Sequence, residues 1–399
     1  MVWVSSLFSQ LLHHFPRTEF AHLVALHQAE RRAKGFDCWT QFVAMLFCHL
    51  ARADSLREIC NGLSCCLGKL VHLGVFRAPN KSTLSYANAH RPAALYEQLF
   101  WSALDRFRRH GQLGRRKTHF RFKNKLFSLD STTISLCLSL FPWAEFRRAK
   151  GGVKVHVLLD HGDYMPSYVL ITNARRHDHT VACLAHLSPG SIVALDRAYT
   201  DYQLFGQWTA SGIFFVTRLK DNARFEIVER RDPPRERGIL NDWIIRLTGV
   251  SAEERCPHLL RRIAVWDEAN QRVIVLLTNH LEFGPTTIAA IYKDRWEIEI
   301  FFKTLKQNLK IRTFVGTTEN ALRIQIWTAL IALLLIKYLH FLSRAGWSLS
   351  NSACMLRLNL FTSRPLMEWI HNPFGKPPDP PEYRQLLLPL PGLGQPQTA

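Results

Sequence analysis

Four residues in the last third of this 399-residue chain carry its most specific chemical pattern: Tyr292, Arg295, Glu299 and Lys306. At about 100° per residue along a helix, with Tyr292 at zero, Arg295 falls near ~300°, Glu299 near ~340° and Lys306 near ~320°. A phenol, a guanidinium, a carboxylate and an ammonium therefore share one stripe. Ile291, Ile298, Phe301, Phe302 and Leu305 fall between about 180° and 280° and should face a core. Glu297 falls near ~140°, off the stripe, which makes Glu299 the better ligand candidate. Such a stripe suits a phosphate beside a cation: Arg and Lys hold the phosphate while Glu completes the cation shell. The spacing equally suits a salt-bridged surface, because Arg295 and Glu299 are an i,i+4 pair.

A cation shell needs further carboxylates, and two stand where apolar runs end. Asp130 follows Leu126–Leu129 and precedes Ser131, Thr132 and Thr133; Asp196 ends Ile192–Leu195 and opens Arg197-Ala198-Tyr199. A charge at such a place is costly unless it is paired or exposed at a site. The plainer readings are an ordinary strand-end Asp for Asp130 and a helix N-cap for Asp196. Phosphodiester chemistry commonly uses two metal ions about 4 Å apart, held by carboxylates from distant positions on a rigid frame.

The elements that must position these groups follow from periodicity. Residues 1–110 read as helical, with apolar residues at helical spacing through Phe8, Leu11, Leu12 and Phe15, then Phe42, Leu46 and Leu50. Asn80–Thr83 offers capping residues for another helix. Residues 111–125 form a basic linker with interleaved aromatics, suited either to phosphate or to simple solvation. From 126 to 219, strands at Leu126–Leu129, Val153–Leu159, Ser167–Thr172, Ile192–Leu195 and Ile213–Thr217 precede or alternate with a helix over Tyr199–Ala210. A mixed sheet with helices on its faces is expected. Val153, Val155 and Val157 alternate against Lys154 and His156. Residues 220–283 read as a β-rich insertion, with strands at Phe225–Val228, Arg262–Trp266 and Arg272–Leu277. Residues 284–345 contain one long helix over 286–309 and another over 320–343. Residues 346–399 end in a Pro-rich tail that should be extended.

Composition narrows the partner. Lys plus Arg is 51 against 32 for Asp plus Glu, a net charge of +19, which calls for a polyanion and favours nucleic acid. Nine cysteines, with no CxxC pair, suit a reducing compartment rather than disulfides or structural zinc. The N-terminus lacks a basic start before an apolar core and does not read as a secretory signal. The uncharged run Ile324–Ile336 is shorter than the roughly 20 residues a bilayer needs, so a buried helix and no membrane anchoring are expected.

Tyr292-x2-Arg295-x3-Glu299-x6-Lys306 resembles the signature of DDE transposases of the insertion-sequence four family. Leu129–Ala144 resembles that family's first-Asp region, followed by Gly151–His156, and Asp196-Arg197-Ala198-Tyr199 its second-Asp motif. Phe314–Thr317 and Asn320–Leu335 are similar to its helical end, and the first 75 or so residues to a helical module found ahead of such cores. The likeness spans about 5–345. It implies an α/β fold: an RNase H-like catalytic core interrupted by a β-rich insertion, behind an all-helical N-terminal domain, whose many Arg, Lys and His residues suit either DNA binding or a plain helical packing domain. It implies that Asp130, Asp196 and Glu299 bind two Mg²⁺ or Mn²⁺ ions, and that Tyr292, Arg295 and Lys306 contact element-end phosphates.

The activity so implied is cut-and-paste transposition of an insertion sequence. Metal-dependent strand cleavage precedes attack by the freed 3′-hydroxyl on target DNA. The partners would be double-stranded element ends and target DNA, with a homodimer on the paired ends in the bacterial cytoplasm, at the nucleoid. Lys150 and Lys154 are further candidate DNA contacts, against simple solvation. His156, His177, Asp178 and His179 could lie near the metals or serve local hydrogen bonding. Trp243 or Trp266 could stack on a flipped base, against a core role for each. The rival readings are a nuclease that cuts without joining, a catalytically silent DNA-binding protein, and a basic packaging protein.

Overall fold

The computed structural model describes residues 5–375 apart from 32, 34, 67, 110–112, 114–119, 138, 148–149, 174–186, 234–237 and 309–313. His177, Asp178, His179, residues 114–119 of the basic stretch and the tail from 376 lie outside the described residues.

The first part is helical: α1 (Leu7–Leu12), α2 (Arg17–Leu26), α3 (Cys38–Ala51), α4 (Leu56–Ser64), α5 (Lys81–His90) and α6 (Ala94–Arg109). Ser6, Asp37 and Ser55 each accept a hydrogen bond from the amide three residues on, satisfying a donor that the first helical turn leaves open. Asn80 occupies the N-cap position of α5 without a side-chain bond. These helices share one apolar core with strand residues such as Val155 and with the long C-terminal helix α11 (Glu319–Leu342). The helix α11 extends beyond the uncharged run and is long and apolar enough to span a bilayer, yet 83% of its most apolar window is buried inside the protein. Its Thr328 meets His49, and Asn320 donates to the carbonyls of Asn88 and Arg91.

The second part is a ten-stranded sheet: β1 (Leu126–Leu136), β2 (Glu145–Arg147), β3 (Lys150–Asp160), β4 (Met165–Asn173), β5 (Ile192–Leu195), β6 (Phe214–Arg218), β7 (Phe225–Arg231), β8 (Ile239–Leu247), β9 (Leu260–Asp267) and β10 (Arg272–Thr278). β1, β3 and β4 are antiparallel, while β5 pairs parallel with both β1 and β6. Helices α7 (Tyr202–Ala210) and α8 (Val250–Arg255) cover one face over Phe205, Phe215 and Cys256. At Gly206 a Cβ would come within 2.2 Å of the Arg255 carbonyl, so only glycine permits this approach. Helices α9 (Pro285–Asp294) and α10 (Glu297–Asn308) lie on the other face, and α12 (Leu349–Leu358) and α13 (Leu366–His371) are the last elements among the described residues.

One expectation is corrected, and three features of the strands were not foreseen. The helix expected over 286–309 is two, broken at Arg295-Trp296; there the Trp296, Ile298 and Glu299 amides bond to carbonyls three residues back, tightening the turn. β8, with Asp242 buried in its middle, was not expected as a strand. The strands at 225–278 continue the core sheet, because β10 pairs with β6. On the polar side of the β3 alternation His156 is fully buried.

Candidate active site

The parallel register builds the site. The last β1–β5 pair is Leu129 with Leu195, so Asp130 and Asp196 are the next residue on each of two adjacent strands. Neighbouring strands run about 4.8 Å apart, which sets the two carboxylates side by side. The break between α9 and α10 places Arg295 and Glu299 against them. Arg295 Nη1 donates to Asp130 Oδ2 at 3.1 Å, and its Nη2 donates to Glu299 Oε1 at 3.2 Å. One guanidinium thus bridges the first and third acids. The surface-pair reading of Arg295 and Glu299 is half right: the pair forms, but Arg295 is buried and shared with the sheet.

Asp196 occupies the N-cap position of a short 3₁₀ turn, yet its side chain makes no capping bond. It accepts from Arg218 Nη2 at 3.1 Å. Arg218 ends β6, next to β5, and was missed in the sequence; the available signal was a charged residue closing the apolar run Phe214–Val216. Lys306 Nζ donates to the Thr133 carbonyl at 3.1 Å, and the Arg295 guanidinium lies 5.6 Å from the centre of the Tyr292 ring. The stripe therefore runs along β1, from Tyr292 near its start, through Arg295 and Glu299 at Asp130, to Lys306 at Thr133.

The other candidates fall elsewhere. His156 pairs across from Ser131, on the sheet face opposite Asp130, and is hydrogen-bonded to Thr172 and Tyr199. Lys154 pairs across from Thr133 on that same face; Lys150 opens β3, with its side chain outside the described residues. Trp243 lies between Arg230 and Arg262. Trp266 is 41% exposed, which corrects a core role for it. Trp296, at the helix break, is 58% exposed.

Burial pushes the Asp130 carboxyl up to about 6; the Ser131 amide and Arg295 oppose this, and the charges of Asp196 and Glu299 add to it. Burial also acts on Asp196, but the nearby Arg197 amide, Arg295 and Arg218 outweigh it and hold that carboxyl below the usual range. The cluster is thus acid-rich around two guanidiniums, whose Nε atoms are both buried without a partner among the described residues. An additional cation would relieve the acid excess. The donors are hard carboxylate oxygens, as Mg²⁺ and Mn²⁺ prefer. Among the described residues no three acidic, histidine or cysteine groups close around one point. Mg²⁺ in general is held by one or two carboxylates together with substrate phosphate rather than by an all-protein cage.

Residues 121–335 match the family model described as the transposase DDE domain, and residues 4–76 match a domain of unknown function. The chain is 32% identical over 315 residues to y4zB of Sinorhizobium fredii, a protein described as a transposase, covering 77% of this chain and 84% of that one. It is 29% identical over 250 residues to a Geobacillus stearothermophilus protein described as the transposase of insertion sequence element IS5377, covering 62% and 66%. Among solved structures, the piggyBac transposase synaptic complex with hairpin DNA aligns with a TM-score of 0.44 at 12% identity, over 90% of this chain and 80% of that one.

Proposed function

The chain belongs to the insertion-sequence four family of DDE transposases, and from that premise we propose that Asp130, Asp196 and Glu299 are its metal-holding carboxylates. The family acts on DNA in insertion-sequence transposition and depends on divalent metal. The observation that carries the assignment is the meeting of Asp130, in the middle of β1, and Asp196, just after β5, with Glu299 around Arg295. We read β4-β3-β1-β5-β6 as the RNase H-like core, β7–β10 as the insertion, and the helices of residues 7–109 as a DNA-binding part.

Two Mg²⁺ or Mn²⁺ ions, when bound, activate the attacking oxygen and stabilise the leaving one. The chain's own groups do the rest. Asp130, within β1 rather than at the strand end expected for it, Asp196, at the end of β5, and Glu299, on α10, hold the charge in place. Arg295 makes one bond to each of two acids and keeps further N–H donors for a phosphate. Lys306 and Tyr292 flank it, and Arg218 fixes Asp196; Lys154, on the opposite sheet face, is not part of this surface. In the first displacement water oxygen bonds to phosphorus at the element end, and the 3′ oxygen leaves with a proton. In the second that 3′-hydroxyl bonds to a target phosphorus, and the target's own 3′ oxygen leaves. A homodimer would pair the two ends at the nucleoid, and Trp266, being exposed, is the better placed of the two insertion tryptophans to stack on a flipped base.

The test is to incubate the full chain with labelled element-end DNA and a supercoiled target in Mg²⁺. Joined products are expected. Cut ends that never join would favour the nuclease reading, and end-specific binding without cutting the silent DNA-binding one.

A further inference from the structure

Beside the acids runs a second, buried tie between the same two elements. Ser128, two residues before Asp130 and on the same sheet face, has its Oγ 2.7 Å from His161 Nε2. His161 Nδ1 is 2.6 Å from Asp294 Oδ2. Asp294 is the last residue of α9, immediately before Arg295. Ser128 is fully buried and His161 nearly so, at 2% exposure. An ionised carboxylate can only accept, so Nδ1–H donates to Asp294, and Nε2 meets the serine hydroxyl. The order Ser-His-Asp invites a nucleophile reading, but a serine with no exposed surface cannot reach a substrate.

The turn carrying His161 is itself fixed. Its amide donates to the Leu126 carbonyl, Asp160 accepts from the Gly162 amide, and Arg108 clasps Asp163 with two hydrogen bonds. The relay therefore joins one stiff point on β1 to the end of α9. Two ties thus cross from β1 to the helix break in parallel: Ser128–His161–Asp294 and Asp130–Arg295–Glu299. The second involves the groups that substrate and metal would engage. The first is shielded from both.

We propose that His161 and Asp294 are positioning residues: their relay from Ser128 pins the break between α9 and α10, and so sets where Arg295 and Glu299 stand relative to Asp130. The inference rests on the site assignment above. It attributes to the relay the behaviour of outer-shell partners, whose loss typically costs roughly 10–100-fold in activity or metal affinity.

The test uses the full chain as Asp294→Ala and Asp294→Asn, since an asparagine oxygen can still accept from Nδ1–H. Hydrogen–deuterium exchange, run without DNA or metal, should show the amides of 295–302 exchanging faster in D294A, with the β1 amides unchanged and D294N close to wild type. In Mg²⁺, D294A should cut saturating end DNA about 10–100-fold more slowly, bind that DNA as wild type does, and be rescued by D294N. Unchanged exchange at 295–302 in D294A would overturn the inference. So would faster exchange with wild-type cutting, or a D294N no better than D294A. If wild type itself does not cut, the site assignment fails, while the exchange arm still decides whether the relay pins the break.

Discussion

Two acid–arginine clusters in one sheet show what separates a fold contact from a site. In the β8–β9 pair, Arg261 donates through Nε and Nη2 to the two oxygens of Asp242, at 2.7 and 2.6 Å. Its Nη1 donates to the carbonyls of Phe283 and Leu281, and both side chains are 3% exposed. Charges balance one to one, and every nitrogen of the guanidinium has an acceptor. At Asp130, Asp196 and Glu299 the acids outnumber Arg295 and Arg218, each bond is single, and both Nε atoms lack partners among the described residues. The first cluster is closed and neutral; the second is open, acid-rich and holds an acid pushed up to about 6. Residue type alone does not distinguish them. Charge balance and satisfied hydrogen bonding do.

The contrast is sharpest when an acid is removed from each. Asp130→Ala, Asp196→Ala or Glu299→Ala forfeits several kcal/mol of transition-state stabilisation, at least about 10³-fold in end cleavage. Circular dichroism should show the fold retained. Asp242→Ala should instead cost about 3–5 kcal/mol of stability by stranding a buried Arg261, seen in chemical denaturation, while a folded fraction still cuts DNA. If D242A silences cleavage without loss of stability, the distinction between the clusters collapses.

Next in size is the pH response of metal-free protein. Asp130 has a folded pKa raised above its unfolded one, so its contribution is fully present below about 4 and is lost as pH rises through about 6. Wild type should therefore gain on Asp130→Asn as pH falls from 7 to 4, by about 2–3 kcal/mol. A difference that is flat with pH would remove the acid-excess argument. Smallest should be Arg295→Lys. An ammonium does not reproduce the planar fork that reaches Asp130 and Glu299 together, and roughly a tenfold slower cleavage is expected. Full activity of R295K would show that the bridge has no functional part.

Much of the site was legible because its residues break local rules. Asp130 and Asp196 close apolar runs, where a charge costs most. The stripe through Tyr292, Arg295, Glu299 and Lys306 survives the helix break, since a tightened turn shifts angles by only a few tens of degrees. For the same reason the break itself was invisible: periodicity tolerates it, and its ties, His161 and Asp130, lie over 130 residues away. β8 was hidden because Asp242 reads as a loop residue until Arg261 on the next strand neutralises it. Arg218 follows the same pattern as the two aspartates, a charge just after an apolar run, but a cation there has no place in a cation shell and gives no signal until Asp196 is seen beside it. That the strands at 225–278 extend the core sheet depends on the β6–β10 pairing, which no local pattern encodes.

The most direct test of the central claim is iron-directed backbone cleavage of the full chain, with Fe²⁺ standing in for Mg²⁺ and ascorbate and peroxide generating radicals at the bound ion. The account predicts cuts clustered near residues 130, 196 and 299, suppressed by excess Mg²⁺ and lost in Asp196→Ala. Cuts confined to other segments, or a pattern that Asp196→Ala leaves unchanged, would contradict it.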